Sequence, residues 1–147
     1  MISRILVPTD GSELAEKAGA YAISLARDNK ASIVFLSVVD ELAPAYAFET
    51  ETGVNPNFPQ LTEQLNQAAH AFVTRLETQA AQAGVASVAL VTEGHPWEEI
   101  LAEAERQDCD LIVLGSHGRR GLAAALLGSV TTNVIHKTRI PVTIVPD

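Results

Sequence analysis

Asp110-Leu111-Ile112-Val113-Leu114, running into Gly115-Ser116-His117-Gly118, is the stretch from which the fold can be read. Its apolar residues follow one another without polar alternation. A continuous run of this kind suits a strand buried on both faces, as in a parallel sheet covered by helices. Four more runs, Arg4–Val7, Ser32–Val39, Val85–Val91 and Pro141–Val145, have the same character.

Helical patterns fill the spaces between these runs. From Ser12 to Arg27, Leu14, Ala18, Tyr21, Ala22 and Leu25 recur at three- and four-residue steps, with Asp10, Gly11 and Ser12 supplying a turn and a cap. Leu61 to Ala83 repeats the pattern at Leu65, Ala69, Phe72, Leu76 and Ala80 and stops at Gly84, a fitting C′ glycine. A third helix begins at Pro96 or Trp97 with Ile100, Leu101 and Ala104 inward, and a fourth spans Ser129–Lys137. Alternation of strand and helix predicts a single doubly wound α/β domain over residues 1–147, with helices on both faces of a parallel sheet. A closed eightfold barrel needs about 250 residues and is excluded. Asp40–Gln60, with Pro44, Gly53, Pro56 and Pro59, has little periodicity and reads as a lid or a plain connection.

Composition narrows the function classes. The 147 residues carry 18 acidic against 10 basic side chains, a formal charge of -8, and have no basic run. Nucleic acid and anionic membranes both require a positive stripe, so neither is the expected partner. The apolar run near the start is too short for a membrane span or a secretory core. Cys109 has no second cysteine to pair with, and a reducing cytoplasm is the expected location.

In open α/β sheets, ligands lie beyond the carboxyl ends of the strands, where the strand order reverses. The loop after Leu114 supplies Gly115, Gly118 and Gly128, then Ser129 at a helix start. Residues without Cβ let backbone approach an anion, and the first amides of a helix point at it. Gly128, Ser129 and Val130 would give their N–H groups, while Arg119 and Arg120 either neutralise phosphate or are solvated loop cations. The chain has no Gly-Lys-Ser/Thr of a P-loop, no Gly-x-Gly-x-x-Gly, and no HExxH or CxxC metal spacing. Asp10 reads either as a helix cap or as a ligand contact. His117, without an orienting carboxylate evident nearby, reads as a loop residue before it reads as a base. Carboxylates at Asp108 and Asp110 disfavour a Cys109 thiolate.

Gly115-x2-Gly118-x9-Gly128-Ser129 resembles the nucleotide-binding signature of the universal stress protein family. Ile5–Ser12, Val38-Val39-Asp40, Gly94-x-Pro96, Asp110–Leu114 and Pro141-Val142 agree with it in order and spacing. The resemblance implies a five-stranded, Rossmann-like sheet of order 3-2-1-4-5, usually dimeric, and membership of the ATP-binding branch. It implies ATP or AMP at the junction of strands 1 and 4, with Pro8, Thr9 and Asp10 on the adenosine side and Val38 meeting adenine by its backbone. Gly115, Gly118, Gly128, Ser129 and Val130 would hold ribose and phosphates, and Asp10 would alternatively face a Mg²⁺ shared with them. The expected activity is that of a stress-response regulatory module with little or slow hydrolysis. The alternatives are a Mg-dependent ATPase or nucleotidyl-transfer enzyme using Asp10 and His117, and a nucleotide-free dimeric interaction protein. In this sheet order Ile140–Val145 is an apolar edge strand, and pairing with its own copy would cover it.

Overall fold

The computed structural model describes residues 1–40, 58–118 and 126–147. Among the described residues, five strands, β1 (Arg4–Pro8), β2 (Ser32–Asp40), β3 (Ser87–Gly94), β4 (Leu111–Gly115) and β5 (Val142–Val145), alternate with four helices. The helices are α1 (Glu13–Asn29), α2 (Phe58–Gln82), α3 (Pro96–Arg106) and α4 (Ser129–Lys137). All strand pairs are parallel and the order is β3-β2-β1-β4-β5.

The unbroken apolar runs conceal a period of two that serves two cores. Ile5, Val7, Ile33, Phe35, Leu111 and Val113 point to one face and pack with Ala18, Ala22 and Ala26 of α1 and Val73, Leu76 and Ala80 of α2. Leu6, Val34, Leu36, Ile112 and Leu114 point to the other and meet Ile100 and Ala104 of α3 and Val134 of α4. A polar residue at any of these strand positions would be buried without water, which explains the absence of alternation.

Local signals close the elements. Ser12 caps α1 by accepting from the Ala15 amide at 3.2 Å. Gly84, at φ +75°, ends the turn after α2 while the Val85 amide bonds the Ala80 carbonyl at 2.9 Å, so Val85 belongs to the cap and β3 starts at Ser87. Helix α2 begins at Phe58, earlier than the expected Leu61; Pro59 lies in its first turn, where a missing N–H costs nothing. The patternless connection is therefore shorter than Asp40–Gln60, and the reading of it as a lid or a plain connection falls on 41–57, outside the described residues.

Two helix faces differ from expectation. Tyr21 is 48% exposed, because α1 turns its small residues inward where Leu76 of α2 seats on Gly19. Glu103 is 4% exposed on α3, held by Arg106 and by Gln107 Nε2 at 3.3 Å. Trp97 packs at the start of α3, with His95 edge-on at 5.7 Å and Lys137 Nζ 4.7 Å from its ring centre.

Candidate functional site

Strands β1 and β4 part company beyond the pair Leu6 and Ile112, and a crevice opens at their carboxyl ends. Pro8 still pairs with Leu36 of β2. By the alternation of the ladder its backbone faces β4, where the strands have diverged and no partner for an N–H remains, so proline fits.

The β1 rim is a chain of short hydrogen bonds. The buried Thr9 donates its amide to Leu36 O at 2.8 Å, and its Oγ1 accepts the Gly11 amide at 3.1 Å. Asp10 Oδ1 accepts the Ser12 amide at 3.0 Å, which fixes the carboxylate. The cap of α1 is Ser12, and Asp10 instead forms the turn before it. Gly11 is at φ +77°, and a Cβ there would enter the ring of Phe72 on α2. Phe72, expected only as a core residue, thus covers the turn that carries Asp10.

Val38 completes the same side. Ser32 and Leu36 bond β1 through Ser3 O and the Thr9 amide, whereas the Ile33 amide bonds Ala86 O beside β3. Even-numbered residues of β2 therefore face β1, and Val38 directs its N–H and C=O past the last residue of β1. A donor and an acceptor side by side on an open strand are what a planar heteroaromatic base can pair with.

On the opposite rim, Gly115 lies under Leu14 of α1, whose Cγ would be 2.9 Å from a Cβ at that position. The Asp10 carboxylate lies against Gly118, so tightly that any Cβ there would strike Oδ2. Asp10 and Gly118, distant in sequence, are thus brought together across the crevice. The Gly128 amide donates to Ser116 O at 2.8 Å and Thr131 Oγ1 donates to Gly115 O at 3.0 Å, closing the loop onto the start of α4.

Two expectations change here. Gly128, not Ser129, caps α4, and its amide is already committed to Ser116. That leaves the amides of Ser129 and Val130, in a first turn that has no acceptors of its own, to meet an anion. Arg119 and Arg120 lie outside the described residues.

His117 Nδ1 is 3.2 Å from Gly118 O, and Nε2 is 4.0 Å from an Asp147 carboxylate oxygen that the spacing alone did not reveal. Behind the loop, Ser116, His117, Leu126, Leu127 and Ile144 bound a cavity of about 220 Å³. Among the described residues, no group of three or more His, Cys, Asp or Glu is arranged to hold a metal, and no helix is long and apolar enough to cross a membrane. Below the sheet, burial is the main force pushing the Cys109 thiol up to about 11, opposed by Arg4 and assisted by Asp110 and Asp108. The direction expected from the carboxylates holds, with burial as the larger cause.

The model of the universal stress protein family matches residues 1–146. Universal stress protein MJ0531 of Methanocaldococcus jannaschii is 32% identical over 145 residues, covering 99% of this chain and 82% of that protein. The solved structure of MJ0577, a universal stress protein of the same organism, has a TM-score of 0.83 at 32% identity and covers 99% of this chain and 96% of that one. A universal stress protein solved in complex with cAMP, 24% identical, shares the fold with a TM-score of 0.69 over 99% of this chain and 97% of its own. Five parallel strands in order 3-2-1-4-5, a glycine-built crevice at the switch point and a family match along the chain have one conclusion: this protein belongs to the universal stress protein family.

Proposed function

We propose that the chain is one adenine nucleotide-binding domain, taking ATP or AMP in the crevice between β1 and β4 and acting as a cytoplasmic regulatory module of the stress response. One observation carries this reading: Gly115, Gly118 and Gly128 converge with the first turn of α4 on one side of the crevice, opposite Asp10 and the open backbone of Val38. Adenine would pair with the Val38 N–H and C=O, beside Pro8 and Thr9. The phosphates would lie over Gly115 and Gly118 and meet the amides of Ser129 and Val130, where the helix dipole favours negative charge. Arg119 and Arg120 would add charge to offset the acidic balance of the protein. A member of the fold in complex with cAMP agrees with an adenine ligand.

Asp10 sets a condition on the phosphates. A carboxylate at the rim is a poor neighbour for phosphate without a cation, so Asp10 would be the residue to hold a Mg²⁺ that offsets phosphate charge, or it would accept from ribose hydroxyls instead. Hydrolysis is expected to be absent or slow, since a cradle of backbone amides binds phosphate without positioning a water for attack. The module would act as a homodimer joined through β5.

Calorimetric titration of nucleotide-stripped protein with ATP, with and without Mg²⁺, tests the reading. Saturation near one site per chain, with ATP recovered intact after hours, is expected. A flat titration with both ATP and AMP would leave the nucleotide-free interaction protein as the better reading, and rapid conversion to ADP would favour the enzyme. Asp10→Asn separates the two roles of that residue: loss of the Mg²⁺ effect points to the metal, whereas equal loss with and without Mg²⁺ points to ribose.

A further inference from the structure

One acceptor in the crevice is not satisfied by the sheet. The amide of Ile112 donates to Pro141 O, just before β5, at 3.0 Å, and that of Ser116 to Val145 O at the end of β5, at 3.1 Å. Even-numbered residues of β4 thus face β5 and odd-numbered ones face β1. The β1–β4 ladder ends at Leu6 and Ile112, so the Gly115 carbonyl is directed to the crevice side with no strand to receive it. Thr131 answers it from α4: Oγ1 donates to Gly115 O at 3.0 Å, and the residue is only 4% exposed. Beside it the Gly128 amide takes the Ser116 carbonyl. Two successive carbonyls at the end of β4 are both drawn onto the start of the helix.

We propose that Thr131 is a positioning residue of the ligand crevice, its hydroxyl holding the Gly115 carbonyl onto α4 and away from the bound anion. A free carbonyl would turn the negative end of its dipole towards phosphate, and would be left unpaired in a buried place. The hydroxyl removes both penalties and keeps the glycine loop registered on the helix whose amides the phosphate meets. The inference rests on the adenine nucleotide reading above, and it predicts something that reading does not: the effect of Thr131 grows with the charge of the ligand.

Thr131→Val keeps the shape and removes the donor; Thr131→Ser keeps the donor. Val134→Ala, on the same helix and fully buried, serves as the stability control. ATP, AMP and adenosine are titrated calorimetrically against each, and exchange of the Gly128 amide is followed by NMR. Thr131→Val should weaken ATP about tenfold, the scale of one lost buried hydrogen bond, with adenosine affected least. Gly128 exchange should quicken, and Thr131→Ser should remain close to wild type in both. If Thr131→Val impairs folding, Thr131→Ala against Thr131→Ser makes the same comparison. The proposal is overturned if Thr131→Val binds ATP like wild type, if ATP and adenosine weaken equally, or if Val134→Ala reproduces the losses. Should wild type bind none of the three ligands, the nucleotide reading fails, and Gly128 exchange alone then decides whether the hydroxyl fastens the loop.

Discussion

A Cβ on Gly128 would meet the Cα of His117 at 3.2 Å, so this glycine is needed for a close approach of the loop to itself. Gly128→Val should force the two apart, break the Gly128–Ser116 hydrogen bond and abolish ATP binding, with circular dichroism and melting showing the fold retained. Binding at wild-type strength would mean that the phosphates lie elsewhere. Asp110 shows a different dependence, on pH. Burial works to raise its carboxyl, but the Ser3 hydroxyl and the amides of Ser3 and Arg4 donate to it and hold it below the usual range. Because the folded value is lowered, the stabilisation is present above the unfolded value of about 3.9 and is lost as pH falls through the folded one. Asp110→Asn should therefore cost about 1 kcal/mol at pH 7, a figure reduced for solvent screening. The gap to wild type should close in acid, as measured by urea denaturation from pH 7 down to pH 2.

At the scale of elements, the turn after β1 and helix α2 form one mechanical unit. Gly11→Ala suffers twice, from φ +77° and from the Phe72 ring. The left-handed conformation alone costs about 1–2 kcal/mol, and the ring adds to it. In a Phe72→Ala background only the first cost should remain, so the double-mutant cycle should show coupling of about 1 kcal/mol or more; strict additivity would separate the ring from the turn. This unit also marks the limit of what patterns along a chain reveal. The existence of each strand and helix could be read from apolar runs and three- and four-residue spacing, and Gly84 announced the end of α2. Periodicity alone put Tyr21 inward, because it registers hydrophobicity and not the close approach that Leu76 makes to Gly19. The glycines of the crevice were legible as a spaced motif. Thr131, Phe72 and Asp147 were not, since each acts on a residue remote in sequence and none has an unusual local context.

For the whole molecule, the outer edge of β5 is the surface on which the proposed dimer would form. The carbonyls of Pro141 and Val145 face β4, so Val142 and Ile144 present their N–H and C=O groups outward from β5. Ile144→Pro would delete an outward donor without touching the β4 ladder, and should convert the expected dimer to a monomer in sedimentation at micromolar concentration with the fold preserved. A variant that stays dimeric would place the contact on another surface. The central position of β1 has a consequence in time. Arg4–Pro8 are made before the other four strands, and their β4 partners at Leu111 and Ile112 are synthesised roughly a hundred residues later. Until Leu111 and Ile112 have been made, the first strand has one edge uncovered and the crevice has only one wall. A nascent chain should therefore be unable to hold the proposed nucleotide until α4 has cleared the exit tunnel, so binding capacity would appear in a single step once α4 is free to fold.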